Sequence, residues 1–255
     1  STRNGAVRPK DQKAMFPATH FAPAPRRLPA NTALGSTTLI TITALAGVSG
    51  FVRNAFGERL LKSANQAAML DIEAIEDQDC FIPHLTVTTF ANAVAKLSGE
   101  PYFTLGLAPL LTMASKGCWA EYMLAAPTLG KAVERAIGTI GFHSKGDTMS
   151  LAVSAGEARL SYASAARGLE GYLHVAIGTV GILLSLCRHF LSPSWRPLRI
   201  ELDIPRPERP AAFEDIFDCP AIFDAPNLSV CFEASGLSKL HTGNLQRPPI
   251  TVGDI

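Results

Sequence analysis

Excess charge of one sign is missing from this sequence: 23 lysines and arginines stand against 22 aspartates and glutamates, a formal net charge of +1. That balance provides no global basic field to hold a phosphate backbone, so the segment is not expected to bind nucleic acid by itself. Charged residues are scarce at 18%, aromatic residues scarcer at 7%, and 47% of the chain is hydrophobic. Over 255 residues this is the composition of a folded protein with a sizeable core, in one large domain or two small ones.

Paired cysteines are missing too. Cys80, Cys118, Cys187, Cys219 and Cys231 make an odd set with no C-x-x-C spacing, which argues against a disulfide framework and points to a reducing, cytoplasmic location. The nearest pair, Cys219 and Cys231 in "FDCPAIFDAPNLSVCF", has no partner pair at zinc-site intervals, so free thiols and no metal are expected there. The six histidines form no pair of ligands at helical spacing, and no cofactor is predicted.

No long apolar run fits a membrane. "LGSTTLITITALAGVSGFV" (34–52) is diluted by Thr, Ser and Gly and reads as domain structure. The stretch "LEGYLHVAIGTVGILLSLCRHFL" (169–191) is interrupted by His174, Thr179, Ser185 and Arg188, as expected of a helix buried in protein. Catalytic fingerprints are absent as well: there is no G-x-S-x-G, P-loop, H-E-x-x-H or dinucleotide glycine motif. Cys187 and His189 lie two apart on one helix and point about 200° from each other, so they do not form a local nucleophile and base. A cysteine-dependent small hydrolase or transferase using Cys187 or Cys118 with a remote histidine stays open as an alternative, and so does a ligand-free dimerisation module.

What is present has an order. Residues 1–33 are a Pro-rich leader with no sustained apolar period, and 34–242 are patterned. Pro83 opens a helix expected to turn Leu85, Phe90, Val94 and Leu97 inward, and Gly99 closes it. A short helix from Cys118 precedes a second one, after Pro127, expected to bury Leu129, Val133, Ala136, Ile137 and Ile140. "DTMSLAVSAGEARLSYAS" (147–164) alternates around Ala155 and Gly156 as a β-hairpin, "LRIELDI" (198–204) and "LSVCF" (228–232) read as strands, and 207–217 as a short helix. Within "FDCPAIFDAPNLSVCF" (217–232), Phe217, Cys219, Ile222 and Phe223 are expected to cap the short helix and turn the chain under the sheet. Val230 and Phe232 should share one strand face and Cys231 the other. The fold class is α+β: an N-terminal helical bundle packed with a small, mainly antiparallel sheet around the long central helix 169–191.

Polar and aromatic residues set within apolar elements are the candidates for a ligand pocket, because such a pocket is mostly apolar with a few polar anchors. The set is Phe103, Trp119, Glu121, Tyr122, Phe142, His143, Tyr162, Tyr172, His174 and Thr179. Those singled out as ligand-binding are Phe103, Trp119, Glu121, Phe142, Tyr162, Tyr172 and His174. Glu121, between aromatics, suits a cationic ligand.

Three stretches, "FIPHLTVTTFANAVAKLSGEPYFTLGLA" (81–108), "GCWAEYMLAAPTLGKAVERA" (117–136) and "SPSWRPLRIELDIPRPERPAAFEDIFDCPAIFDAPNLSVCF" (192–232), together resemble the N-terminal effector-binding region of one branch of AraC-family transcriptional regulators, often labelled arabinose-binding-like. The resemblance covers roughly residues 38–240. It implies a non-enzymatic sensory domain that binds a small organic effector, not necessarily arabinose, and that forms a homodimer. It also implies DNA contact only through a C-terminal helix-turn-helix domain that this chain lacks, with 243–255 as a linker toward it.

Overall fold

The computed structural model describes residues 38–241 and 251–255. The expected leader over 1–33 and linker residues 243–250 lie outside them.

In chain order the elements are β1 (Leu39–Thr41), α1 (Val48–Phe56), α2 (Glu58–Ala67), α3 (Ile72–Ile75), β2 (Phe81–Pro83), α4 (His84–Ser98), α5 (Phe103–Leu107), α6 (Gly117–Leu124), α7 (Leu129–His143), β3 (Ser144–Lys145), β4 (Thr148–Ser154), β5 (Glu157–Ala163), α8 (Tyr172–Leu191), β6 (Arg199–Glu201), α9 (Pro210–Phe217), β7 (Ala221–Ile222) and β8 (Leu228–Glu233). The fold is α+β, and the described residues form two sheets where the sequence suggests one. A small antiparallel sheet has the order β2-β1-β3, and a five-stranded sheet has the order β4-β5-β8-β6-β7, in which only β6 and β7 run parallel.

Local chemistry explains the boundaries. The α4 helix starts after Pro83 and ends at Gly99, whose left-handed φ of 73° lets its N–H reach Ala95 O. Thr128 caps α7 by accepting a bond from the Lys131 N–H at 3.2 Å. Ser154 pairs with Glu157 across the hairpin, so Ala155 (φ 50°) and Gly156 (φ 82°) form a two-residue turn with both φ positive, the twist that hairpins favour.

The alternation read in β8 is present. Val230 stands opposite Leu160 and Ile200, whereas Cys231 stands opposite Arg159 and Arg199. The first face packs on α8. The second carries a charged cluster in which Arg199 bonds both Glu157 oxygens at 2.8 and 2.6 Å, and Glu201 accepts from Arg159, Arg199 and the Cys231 thiol. All five cysteines are free.

The structure corrects three of the expected inward positions, Leu85, Leu97 and Ile137. Leu85 is 58% and Leu97 52% exposed, because the buried stripe of α4 runs through Val87, Phe90, Ala91 and Val94. Leu85 lies about 140° around the helix from Phe90, and Leu97 sits in the last turn, just before the stop at Gly99. Ile137, at the edge of the α7 stripe, is 37% exposed, and Ile222 on the two-residue strand β7 is 46% exposed. The strand read over 198–204 shortens to Arg199–Glu201, and Phe81–Pro83, read as the approach to a helix, pairs with β1.

Among the described residues two hydrophobic cores result. One gathers residues between Ile40 and Leu111, chiefly from α1, α2, α4 and α5. The other gathers α6, α7, α8 and the five-stranded sheet. The α8 helix is apolar and long enough to cross a membrane, yet it lies against α4, α5, α7 and β8. Its Val175 and Ile182 pack against both cores.

Candidate functional site

Along the seam between the two cores lies a cavity of about 120 Å³. The α4 helix supplies His84, Val87, Phe90 and Ala91; α5 supplies Phe103, Thr104 and Leu107; α8 supplies His174, Val175, Gly178, Thr179 and Ile182. The turn after β1 closes one side with Ala44 and Leu45, and Lys116, Trp119, His143, Asp147 and Tyr162 bring in polar atoms. An apolar cavity of this order admits a single ring or a short chain.

Its polar groups are held by specific partners. The Trp119 indole N–H donates to Thr139 Oγ1 at 3.0 Å, and the His143 ring stacks on that indole with centroids 4.5 Å apart and planes 2° from parallel. His143 Nδ1 lies 2.8 Å from Thr41 Oγ1. His174 Nδ1 lies 2.7 Å from Thr104 Oγ1, and its ring rests 4.8 Å from that of Phe103. The Asp147 carboxyl is a hub: it accepts from the Tyr162 hydroxyl, from the Ala165 N–H at 2.6 Å and from Ser164 Oγ at 3.4 Å. Lys116, 4% exposed, gives its ammonium to the carbonyls of Thr43 at 2.9 Å and Ala44 at 3.3 Å.

Burial sets the protonation of these groups. It pushes His143 down to about 3, helped by the nearby Lys116 and His84, and His174 down to about 4. Burial likewise brings Lys116 down to about 8 and lowers His84, where Asp147 opposes it. Tyr162 is raised well above 10 by burial and by Asp147, so its hydroxyl remains a donor.

A pH prediction follows. Below pH 6.5 a histidine in the unfolded chain takes up a proton, whereas His143 and His174 stay neutral in the fold down to about 3 and 4. The unfolded state then binds more protons, and stability falls as pH falls. Two such residues are expected to lower the unfolding free energy by roughly 2 to 3 kcal/mol between pH 7.5 and 5.5. Urea melts across that range measure it, and a flat profile would contradict the buried neutral imidazoles.

Of the seven residues singled out from sequence, Phe103, Trp119, Tyr162 and His174 meet on the cavity wall, together with His143 and Thr179 from the wider set. The other three stand apart from it. Glu121 is exposed on α6, two residues and so about 200° from Trp119. Phe142 is 45% exposed, one residue from His143. Tyr172 donates its hydroxyl to Asp203 at 2.8 Å and lines a separate hollow with Tyr102, Arg167 and Pro205. Sequence reasoning missed Lys116, His84, Thr104 and Asp147. One signal for Lys116 was available: it and Glu121 are the only charged residues between Glu100 and Lys131.

The arrangement does not resemble a nucleophile relay. Ser144 Oγ at 2.9 Å and Asp147 Oδ1 at 3.6 Å both approach His84 through the same atom, Nε2, whereas a triad needs its two partners on opposite ring nitrogens. Cys187 is fully buried and its thiol is pushed up to about 12, which keeps it protonated. Among the described residues, no group of three or more His, Cys, Asp or Glu is placed to hold a metal ion.

Residues 58–239 match the family profile described as the arabinose-binding domain of AraC transcription regulators, N-terminal. The chain belongs to this family. It is therefore a regulatory domain of the AraC type, and its family connection is to transcription regulation and effector binding. Among solved structures, the AraC-type domain is similar to the transcriptional regulator CdpR from Pseudomonas aeruginosa, at 13% identity and a TM-score of 0.48. The alignment covers 73% of this chain and 58% of that one. No curated protein sequence matches the domain.

Proposed function

We propose that the domain senses a small, mostly apolar organic effector bound in the cavity between its two cores, and passes the signal to a DNA-binding domain in a full-length, cytoplasmic, homodimeric regulator. The observation that carries this reading is the cavity itself: apolar walls from α4, α5 and α8, with the polar atoms of Lys116, His143 and His174 among them. A bound effector acts only through preference for one arrangement of the domain over another. A hundredfold preference supplies about 2.7 kcal/mol, enough to change operator occupancy.

Thermal-shift screening against acids, amides, amines and aromatics tests the reading. A compound at a hundred times its dissociation constant is expected to stabilise by about 2.7 kcal/mol, raising Tm by roughly 5 to 10 °C for a domain of this size. Ala91→Leu, which adds three carbon atoms to the cavity wall, is expected to weaken that compound at least tenfold, written as about 1.4 kcal/mol or more. If no compound shifts the transition, or Ala91→Leu leaves the shift intact, the proposal fails.

A further inference from the structure

Lys116 is an unusual wall residue for an apolar cavity. Burying an ammonium is costly unless a counter-charge compensates it, and here its partners are two backbone carbonyls; among the described residues no carboxylate pairs with it. Those bonds use two of its three donors. Lys116 also occupies the N-cap position of α6, where the positive end of the helix adds to its charge instead of offsetting it. The acidic residue on the same wall, Asp147, is already occupied by Tyr162, Ser164 and the Ala165 N–H. The cavity thus keeps one buried cation with a donor to spare, beside apolar space for a ring or short chain.

We infer that the effector is a small apolar carboxylic acid, bound as its anion, with the carboxylate on Lys116 and the hydrocarbon body between Phe90, Phe103 and Ile182. This rests on the sensor reading above. In the low-dielectric seam the anion compensates the ammonium and takes its third hydrogen bond, while a neutral isostere gains only the apolar contacts. An amine of the same shape meets like charge.

The test uses the 255-residue chain with benzoate, phenylacetate and hexanoate, their amides, and benzylamine and hexylamine, with affinities read by calorimetry. On the unaltered protein at least one acid is expected to bind ten or more times tighter than its amide, and the amines weakest. Lys116→Met should bring acid and amide within threefold, and Lys116→Arg should keep the acid preference. Lys116→Met should also raise the Tm of the unliganded protein, since it removes a buried, uncompensated charge; Lys116→Gln serves if the Met variant does not fold.

A readout without any variant comes from pH. The other titratable groups on this wall are His84, His143, His174, Asp147 and Tyr162. Lys116, held at about 8 in the free protein, loses its charge above that pH, so acid affinity should fall from pH 7 to 9 while amide affinity stays level. Amides or amines binding as well as acids, or an acid preference that survives Lys116→Met, would overturn the carboxylate inference and leave the sensor reading standing. Binding by none of the three classes would overturn both.

Discussion

Gly171→Ala is expected to cost more than about 4 kcal/mol and to leave the domain unfolded or nearly so at 37 °C. Gly171 adopts a φ of +87° immediately before α8, and a Cβ there would stand 2.3 Å from the Thr88 carbonyl oxygen and 3.0 Å from Asn92 Cβ. The left-handed backbone alone costs a non-glycine residue about 1 to 2 kcal/mol. Overpacking adds about 1 to 3 kcal/mol where neighbours can yield, and a backbone carbonyl within α4 can yield only if the two helices part. Gly168 is the control: its φ is +90° and an added Cβ meets nothing within 4 Å, so Gly168→Ala should show the backbone cost alone. Urea unfolding of both variants separates the terms. Equal losses would mean that the α4 to α8 approach is not the constraint.

Asp147→Ala is expected to cost about 3 to 5 kcal/mol. The substitution strips the partner from the buried Tyr162 hydroxyl and the half-buried Ala165 N–H, and an unsatisfied buried donor costs about 1 to 3 kcal/mol. Asp147→Asn keeps an acceptor for one of those donors and should lose about half as much. Tyr162 supplies the cross-check, because Asp147 is one reason its pKa is raised: phenolate absorbance in Asp147→Ala should emerge at a lower pH than in the parent. A loss under about 1 kcal/mol, with Tyr162 unmoved, would show the hub to be dispensable.

Period and punctuation made much of this architecture legible. The hairpin around Ala155 and Gly156, the stop at Gly99 and the punctuated helix leading to Leu191 each announce themselves within a dozen or two residues. The small sheet did not, since β1 and β3 together span five residues and acquire a pattern only by pairing with segments far along the chain. Leu85, Leu97 and Ile137 misled because an apolar side chain at helical spacing does not say whether another element covers it.

The candidate cavity divided in the same way. Phe103, Trp119, Tyr162 and His174 could be noticed as polar or aromatic groups in apolar surroundings. Lys116 and Asp147 could not be placed, because each is explained by partners remote in sequence: Lys116 by carbonyls 72 and 73 residues earlier, Asp147 by Tyr162 across the hairpin. Glu121, beside two aromatics in the sequence, is separated from Trp119 by the pitch of the helix they share.

The two cores meet along a cavity, and Val175 and Ile182 of α8 pack against both. A molecule bound in that cavity adds dispersion contacts to each side at once. Whatever fills it serves as mortar between an early half of the chain and a later one, so occupancy is inscribed in the manner in which the molecule comes apart as well as in what it recognises.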